Sequence, residues 1–124
     1  MATDDSRVKA KHIEEQLAPA LARLSADPAR RLRLERRLLD KALREIEEAQ
    51  RKKTAAEDAI DEAALAYAAC RAAGDCNDLE WVDKALRENK EKIVRLSDRV
   101  RFLRKVADAH SAAIAGAEVA WRRN

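Results

Sequence analysis

The sequence predicts an all-α protein. The expected architecture is a long antiparallel two-helix coiled-coil hairpin, with a short, Pro-kinked N-terminal helical segment packing at its base. Three observations carry this expectation. The hydrophobic 47% of the 124 residues is dominated by 27 alanines, against 13 Leu, 5 Ile and 6 Val. Two Gly, two Pro and a 3% aromatic share leave few turn makers and few strand formers. Apolar residues recur at heptad spacing over most of the chain. This composition excludes a β-sandwich, a β-barrel, a Rossmann sheet and a disulfide-stapled mini-protein. The longest apolar run, Ala63 to Cys70, is far short of the ~20 residues that a spanning helix needs.

Residues 1–27 form the first element. Val8, Ile13, Leu17, Leu21 and Leu24 read as an apolar stripe, and Pro19 interrupts it, so a kink or two short pieces are expected. At Ser25-Ala26-Asp27-Pro28, Asp27 can cap a helix and Pro28 suits its first position. The break would let residues 1–27 fold back along the base of the hairpin.

The second element is a helix over residues 28–73. Leu32, Leu39, Ile46, Lys53, Ile60 and Tyr67 alternate with Glu35, Ala42, Ala49, Ala56, Ala63 and Cys70. Small residues at one seam position in consecutive heptads allow close backbone approach. Residues 74–77 form the turn. Gly74 can take the left-handed conformation that ends a helix, and Asn77 with Glu80 reads as a capping box.

The last helix spans residues 78–122. Leu79, Leu86, Ile93, Val100, Ala107, Ile114 and Trp121 recur every seventh residue. Val82, Asn89, Leu96, Leu103, His110 and Ala117 fill the partner positions. The short turn forces an antiparallel pairing. It sets Ile60 and Ala63 near Asn89, Lys53 near Leu96 and Val100, and Ala42 near His110. An acidic stretch over 45–62 then faces a basic one over 84–105. The whole is one domain. Two long helices sharing a narrow seam bury little surface per residue, so a homo-oligomer is expected, most simply a dimer whose hairpins form a four-helix bundle.

A net charge of +3 is small beside 26 basic and 23 acidic residues. The acidic start Met-Ala-Thr-Asp-Asp-Ser lacks the apolar core of a signal peptide, so a cytoplasmic location without membrane contact is the expectation. Cys70 and Cys76 flank the turn. They are read as a seam residue and a loop residue, with a redox clip as the alternative. No Gly-rich phosphate loop, nucleophile triad or Glu-x-x-His pair appears, so neither an enzyme nor a metal or other cofactor is expected. His110 reads as a satisfied seam histidine. Asn89 reads either as a register-setting polar residue or as a solvated edge residue.

The functional expectation is a non-enzymatic protein–protein interaction module: an adaptor, assembly factor or inhibitor in a bacterial or phage complex. Trp81, Asp75 and Asp78 at the tip are the candidate partner-binding residues, because a desolvated aromatic contributes strongly to binding. The plainer reading of Trp81 is that it covers the turn. The alternative function is a nucleic-acid accessory protein using Arg30, Arg31, Arg33, Arg36 and Arg37 at the base. No aromatic residue is interleaved with those arginines in the sequence.

Overall fold

Helix-forming composition and two breakpoints produce three helices. The computed structural model describes residues 4–74 and 79–123. It contains α1 (Asp4–Ala26), α2 (Pro28–Ala72) and α3 (Glu80–Arg123), with no strand among the described residues. None of these helices is long and apolar enough to cross a membrane.

The breakpoints act through the expected local chemistry. The Asp27 carboxylate accepts a hydrogen bond from the Arg30 backbone N–H at 3.2 Å. Pro28 follows at the first helical position. At the other end of α2, Gly74 has φ +73° and donates its N–H to the Arg71 carbonyl at 3.1 Å. Any L side chain at Gly74 would be strained in that conformation. The Leu79 carbonyl accepts from Asp83 N–H at 3.1 Å and opens the α3 ladder. The expected Asn77–Glu80 capping box includes a residue outside the described ones.

α2 and α3 pack against each other as a hairpin. Its deepest residues are those the heptads single out. Ala42, Ala49, Ala56 and Ala63 of α2 are buried, as are Val100, Leu103 and Ala107 of α3. Leu32, Leu39, Ile46, Lys53 and Ile60 flank the alanines half-buried, with Leu86, Ile93, Leu96 and Ile114 opposite. The methyl side chains on α2 let the Val100 and Leu103 side chains seat directly against the α2 backbone ridge. The core is therefore one residue deep along its whole length.

Cross-helix polar contacts report the register. Arg99 Nη2 lies 3.5 Å from Glu45 Oε2, and Arg36 Nη2 lies 3.0 Å from Glu118 Oε1. His110 reaches Glu35, one heptad nearer the base than Ala42, whereas Arg36 reaches Glu118 in the opposite sense, so the long side chains bracket the fold-back register. The expected acidic-to-basic facing is reduced to the Glu45–Arg99 bridge. Other charges pair along their own helix, as Lys52 with Glu48, Arg87 with Asp83 and Arg101 with Asp98. These pairs are exposed, and pairs of this kind each contribute ~0.2–1 kcal/mol.

The N-terminal segment departs from expectation. α1 is one helix running through Pro19, not two pieces. Pro19 removes the ladder bond to the Glu15 carbonyl, but Leu17, Ala18, Ala20 and Leu21 around it are good helix formers. α1 also does not fold back along the hairpin. Its backbone approaches α2 only near the joint and does not approach α3, although half-buried Leu24 shares an open basal groove with Leu32, Ala113 and Ala117. Ile13, Leu17 and Leu21 stay about half exposed, at 48%, 51% and 57%. Folding one helix back on another takes ~2–5 loop residues, whereas only Asp27 separates α1 from α2. Val8 is off the stripe, because nine residues before Leu17 is two and a half turns, on the opposite side of the helix.

The alanine seam makes a direct prediction. Ala49→Leu or Ala56→Leu inserts three carbons where the helices touch and should destabilise the hairpin by ~1–3 kcal/mol. Urea unfolding followed by circular dichroism measures it. Unchanged midpoints would mean that the alanines do not set the helix spacing.

Candidate interaction surfaces

The tip of the hairpin holds the first set of expected residues. Trp81, in the first turn of α3, is 42% exposed, and Leu79 beside it is 47% exposed. Trp81 is thus neither buried over the turn nor fully presented. Asp75 and Asp78, expected to act with it, lie outside the described residues, as does Cys76. Cys70 is half-buried at its seam position. One turn earlier on α2, the Tyr67 hydroxyl accepts from Arg71 Nη1 at 3.3 Å, and the guanidinium carbon lies 6.0 Å from the ring centroid. That contact orders the α2 side of the tip.

The seam holds two polar features. Asn89 donates its side-chain N–H to the Ala85 carbonyl at 2.7 Å, so it is satisfied within α3 and makes no hydrogen bond to α2. The register role expected of Asn89 falls instead to Glu35 and His110. Their carboxylate and imidazole meet at 2.5 Å, with side chains only 19% and 22% exposed. Both residues occupy seam positions in the sequence, Glu35 on α2 and His110 on α3. A polar pair flanked on the seam by Leu32, Leu39, Ala42, Leu103, Ala107 and Ile114 favours one alignment, because a slip leaves it facing leucine or alanine.

At the base, Arg30, Arg31, Arg33, Arg36 and Arg37 are all exposed on the first three turns of α2. Arg36 is committed to Glu118. The structure adds an aromatic that the local sequence lacks. Trp121, 59% exposed, lines an open groove of about 520 Å³ with Ala29, Leu32, Arg33, Arg36, Glu118 and Arg122. The heptad spacing and the fold-back already set Trp121 level with Pro28–Leu32, and the structure puts it there, beside Ala29 and Leu32.

Midway along the hairpin, the two flanks differ. One carries an open groove of about 640 Å³ lined by Lys52, Ala55, Ala56, Ala59, Asn89, Lys92, Arg95, Leu96 and Arg99. Its floor is methyl groups and one leucine, and its rim is cationic. The other flank has a more polar groove of about 410 Å³, with Lys53, Arg101, Arg104 and Lys105 beside Gln50, Ser97 and Asp108. Nothing in the heptad pattern marks the first groove, because its alanines at flanking positions look like ordinary helix formers.

Among the described residues, no group of three or more His, Cys, Asp or Glu side chains is placed to hold a metal ion. The remaining exposed large apolar residues include Leu38, Leu43, Leu65, Val94, Phe102 and Val119. Comparison of the chain with protein-family models, with curated proteins and with solved structures gives no match.

The seam pair yields a double-mutant test. Glu35→Ala or His110→Ala strands the other polar group and should cost ~1–3 kcal/mol. Replacing both with leucine should recover or exceed the original stability while relaxing the alignment of the helices. Urea unfolding of the unaltered protein, the two alanine variants and the double alanine variant measures the coupling. Additive single-site effects would mean that the two side chains do not act as a pair.

Proposed function

We propose that this chain is a non-enzymatic coiled-coil interaction module that works as a homo-oligomer, in the simplest case a dimer. The observation that carries the reading is the mismatch between its core and its surface. The hairpin buries mainly alanines, while Leu38, Leu43, Phe102 and Val119 and the Ile13–Leu17–Leu21 stripe of α1 stay exposed. Isolated large apolar residues are ordinary on a protein surface. Here they are spread over α1, the basal half of α2 (Leu38, Leu43), the middle of α3 (Val94, Phe102) and its end (Val119, Trp121), with Leu65, Leu79 and Trp81 toward the tip. A helix such as α1, with its apolar stripe uncovered, is marginally stable by itself in water. Side-by-side association of two hairpins along their shafts, with α1 included, would cover a share of these residues and supply stability that the narrow seam lacks. An elongated rod whose flanks and ends remain open then acts as an adaptor, assembly factor or inhibitor.

A second reading, nucleic-acid association at the base, is favoured by one observation. Trp121 stands among Arg33, Arg36 and Arg122, so an aromatic face for a base lies beside cations for the phosphates. Arg30, Arg31 and Arg37 extend the charge along α2.

Light scattering and sedimentation at micromolar concentration should give twice the chain mass, and Leu38→Glu with Phe102→Glu should shift the protein toward monomer while retaining helicity. A strict monomer for the unaltered chain would remove the self-association. A gel shift with single-stranded nucleic acid at low salt, abolished by Trp121→Ala and by moderate salt, would favour the second reading. No shift at low salt ends it.

A further inference from the structure

The groove on the alanine flank points to a specific kind of partner. Its lining contains no acidic residue and has four cations: Lys52, Lys92, Arg95 and Arg99. Lys52 is held by Glu48 and Arg99 by Glu45. Lys92 and Arg95 make no ion pair among the described residues. Two uncompensated cations thus stand over a floor of Ala55, Ala56, Ala59 and Leu96. On the α2 side no wall residue beyond Lys52 is longer than a methyl group, so a third helix can approach at the ~8–10 Å spacing of packed helices.

The same face continues to the tip. On α3, Trp81, Ala85, Glu88, Lys92, Arg95 and Arg99 follow one another at three- or four-residue steps, which puts them on one side of the helix. That strip is about 27 Å long at 1.5 Å per residue, the length of a five-turn helix. It ends in the half-exposed indole of Trp81, a suitable anchor for an apolar side chain.

We infer that this face docks an amphipathic helix of a different protein, one carrying acidic residues over Lys92 and Arg95. The inference rests on the interaction-module reading and names its partner. Charge sets the direction. Glu88 and, on α2, Glu62 occupy the tip half of the face, so the partner's acidic residues belong at the Arg95 end and neutral or basic ones at the Trp81 end. Charge also argues against a second copy here. A two-fold axis through the Lys92–Arg95 segment would bring these cations against each other, so a second copy fits only if its axis is displaced toward Glu88. A nucleic acid finds phosphate contacts on the rim, but the groove lining holds no aromatic ring, and its one uncharged polar side chain, Asn89, already donates to the Ala85 carbonyl.

The test uses the full chain and a labelled synthetic 20-residue helical peptide with leucines on one face, glutamates flanking its first half and glutamines its second. Fluorescence anisotropy should show binding of this peptide and at least tenfold weaker binding of its lysine-for-glutamate counterpart. Lys92→Glu with Arg95→Glu should weaken binding at least tenfold, and Trp81→Ala several-fold. Arg104→Glu with Lys105→Glu, on the opposite flank, should leave it within twofold. Circular dichroism confirms that each variant stays helical. Equal binding of both peptides, equal loss in both double variants, or no binding of the glutamate peptide overturns the inference. So does groove-dependent binding of phosphatidylglycerol vesicles without peptide binding, which would assign the cations to lipid headgroups. Loss of the peptide with the dimer intact rejects the groove alone. A monomer that still binds the peptide rejects self-association alone.

Discussion

Close packing of α3 onto a row of alanines is the contact on which the hairpin depends. Ala42, Ala49, Ala56 and Ala63 come at the same heptad position and are buried in succession. Alanine gives up no side-chain rotamers on burial and favours the helix intrinsically, so this packing costs little conformational entropy. The gain per residue is correspondingly small, since a methyl group removes little apolar area from water. Stability must come from length and from cooperation along the seam. The same geometry keeps the larger side chains at the flanks, where half of their surface remains available to something else.

The amino-acid sequence announced the hairpin because its information is local. Asp27-Pro28 and Gly74 carry their conformational consequences within a few residues, and the seven-residue spacing states which side of each helix is covered. Residues 1–27 were misread for a reason of geometry. Their hydrophobic spacing suggests a buried face, but a one-residue joint cannot reverse the chain. Burial inferred from pattern alone overlooks what the connection permits. The interhelical charge map failed for another reason. Long Lys, Arg and Glu side chains on an exposed face also reach neighbours on their own helix, as Lys52 with Glu48, Arg87 with Asp83 and Arg101 with Asp98.

The surfaces were legible only in part. Trp81 was identifiable as an off-seam aromatic, and the basal arginines as a cluster. Three features required the two helices to be laid side by side. They are the Glu35–His110 pair, the approach of Trp121 to Arg33 and Arg36, and the cation-rimmed alanine groove. Each joins residues distant in the chain, and none has a sequence signature stronger than seam membership. The resulting flanks are unlike each other. One is apolar in its floor and cationic at its edge, and the other is polar apart from Val100. A rod with two different sides presents itself in one rotational orientation to whatever lies along it.

The single-residue joint at Asp27 has a mechanical corollary. α1 and α2 are stiff members meeting at one φ/ψ pair, with a carboxylate cap on one side and a proline ring on the other. With α1 about 34 Å long at 1.5 Å per residue, a swing of about 30° at the elbow carries its far end through about 18 Å. The outrigger therefore converts a torsional adjustment at one residue into a large sweep, so the span between two bound objects would be tuned at Asp27 rather than anywhere along the shafts.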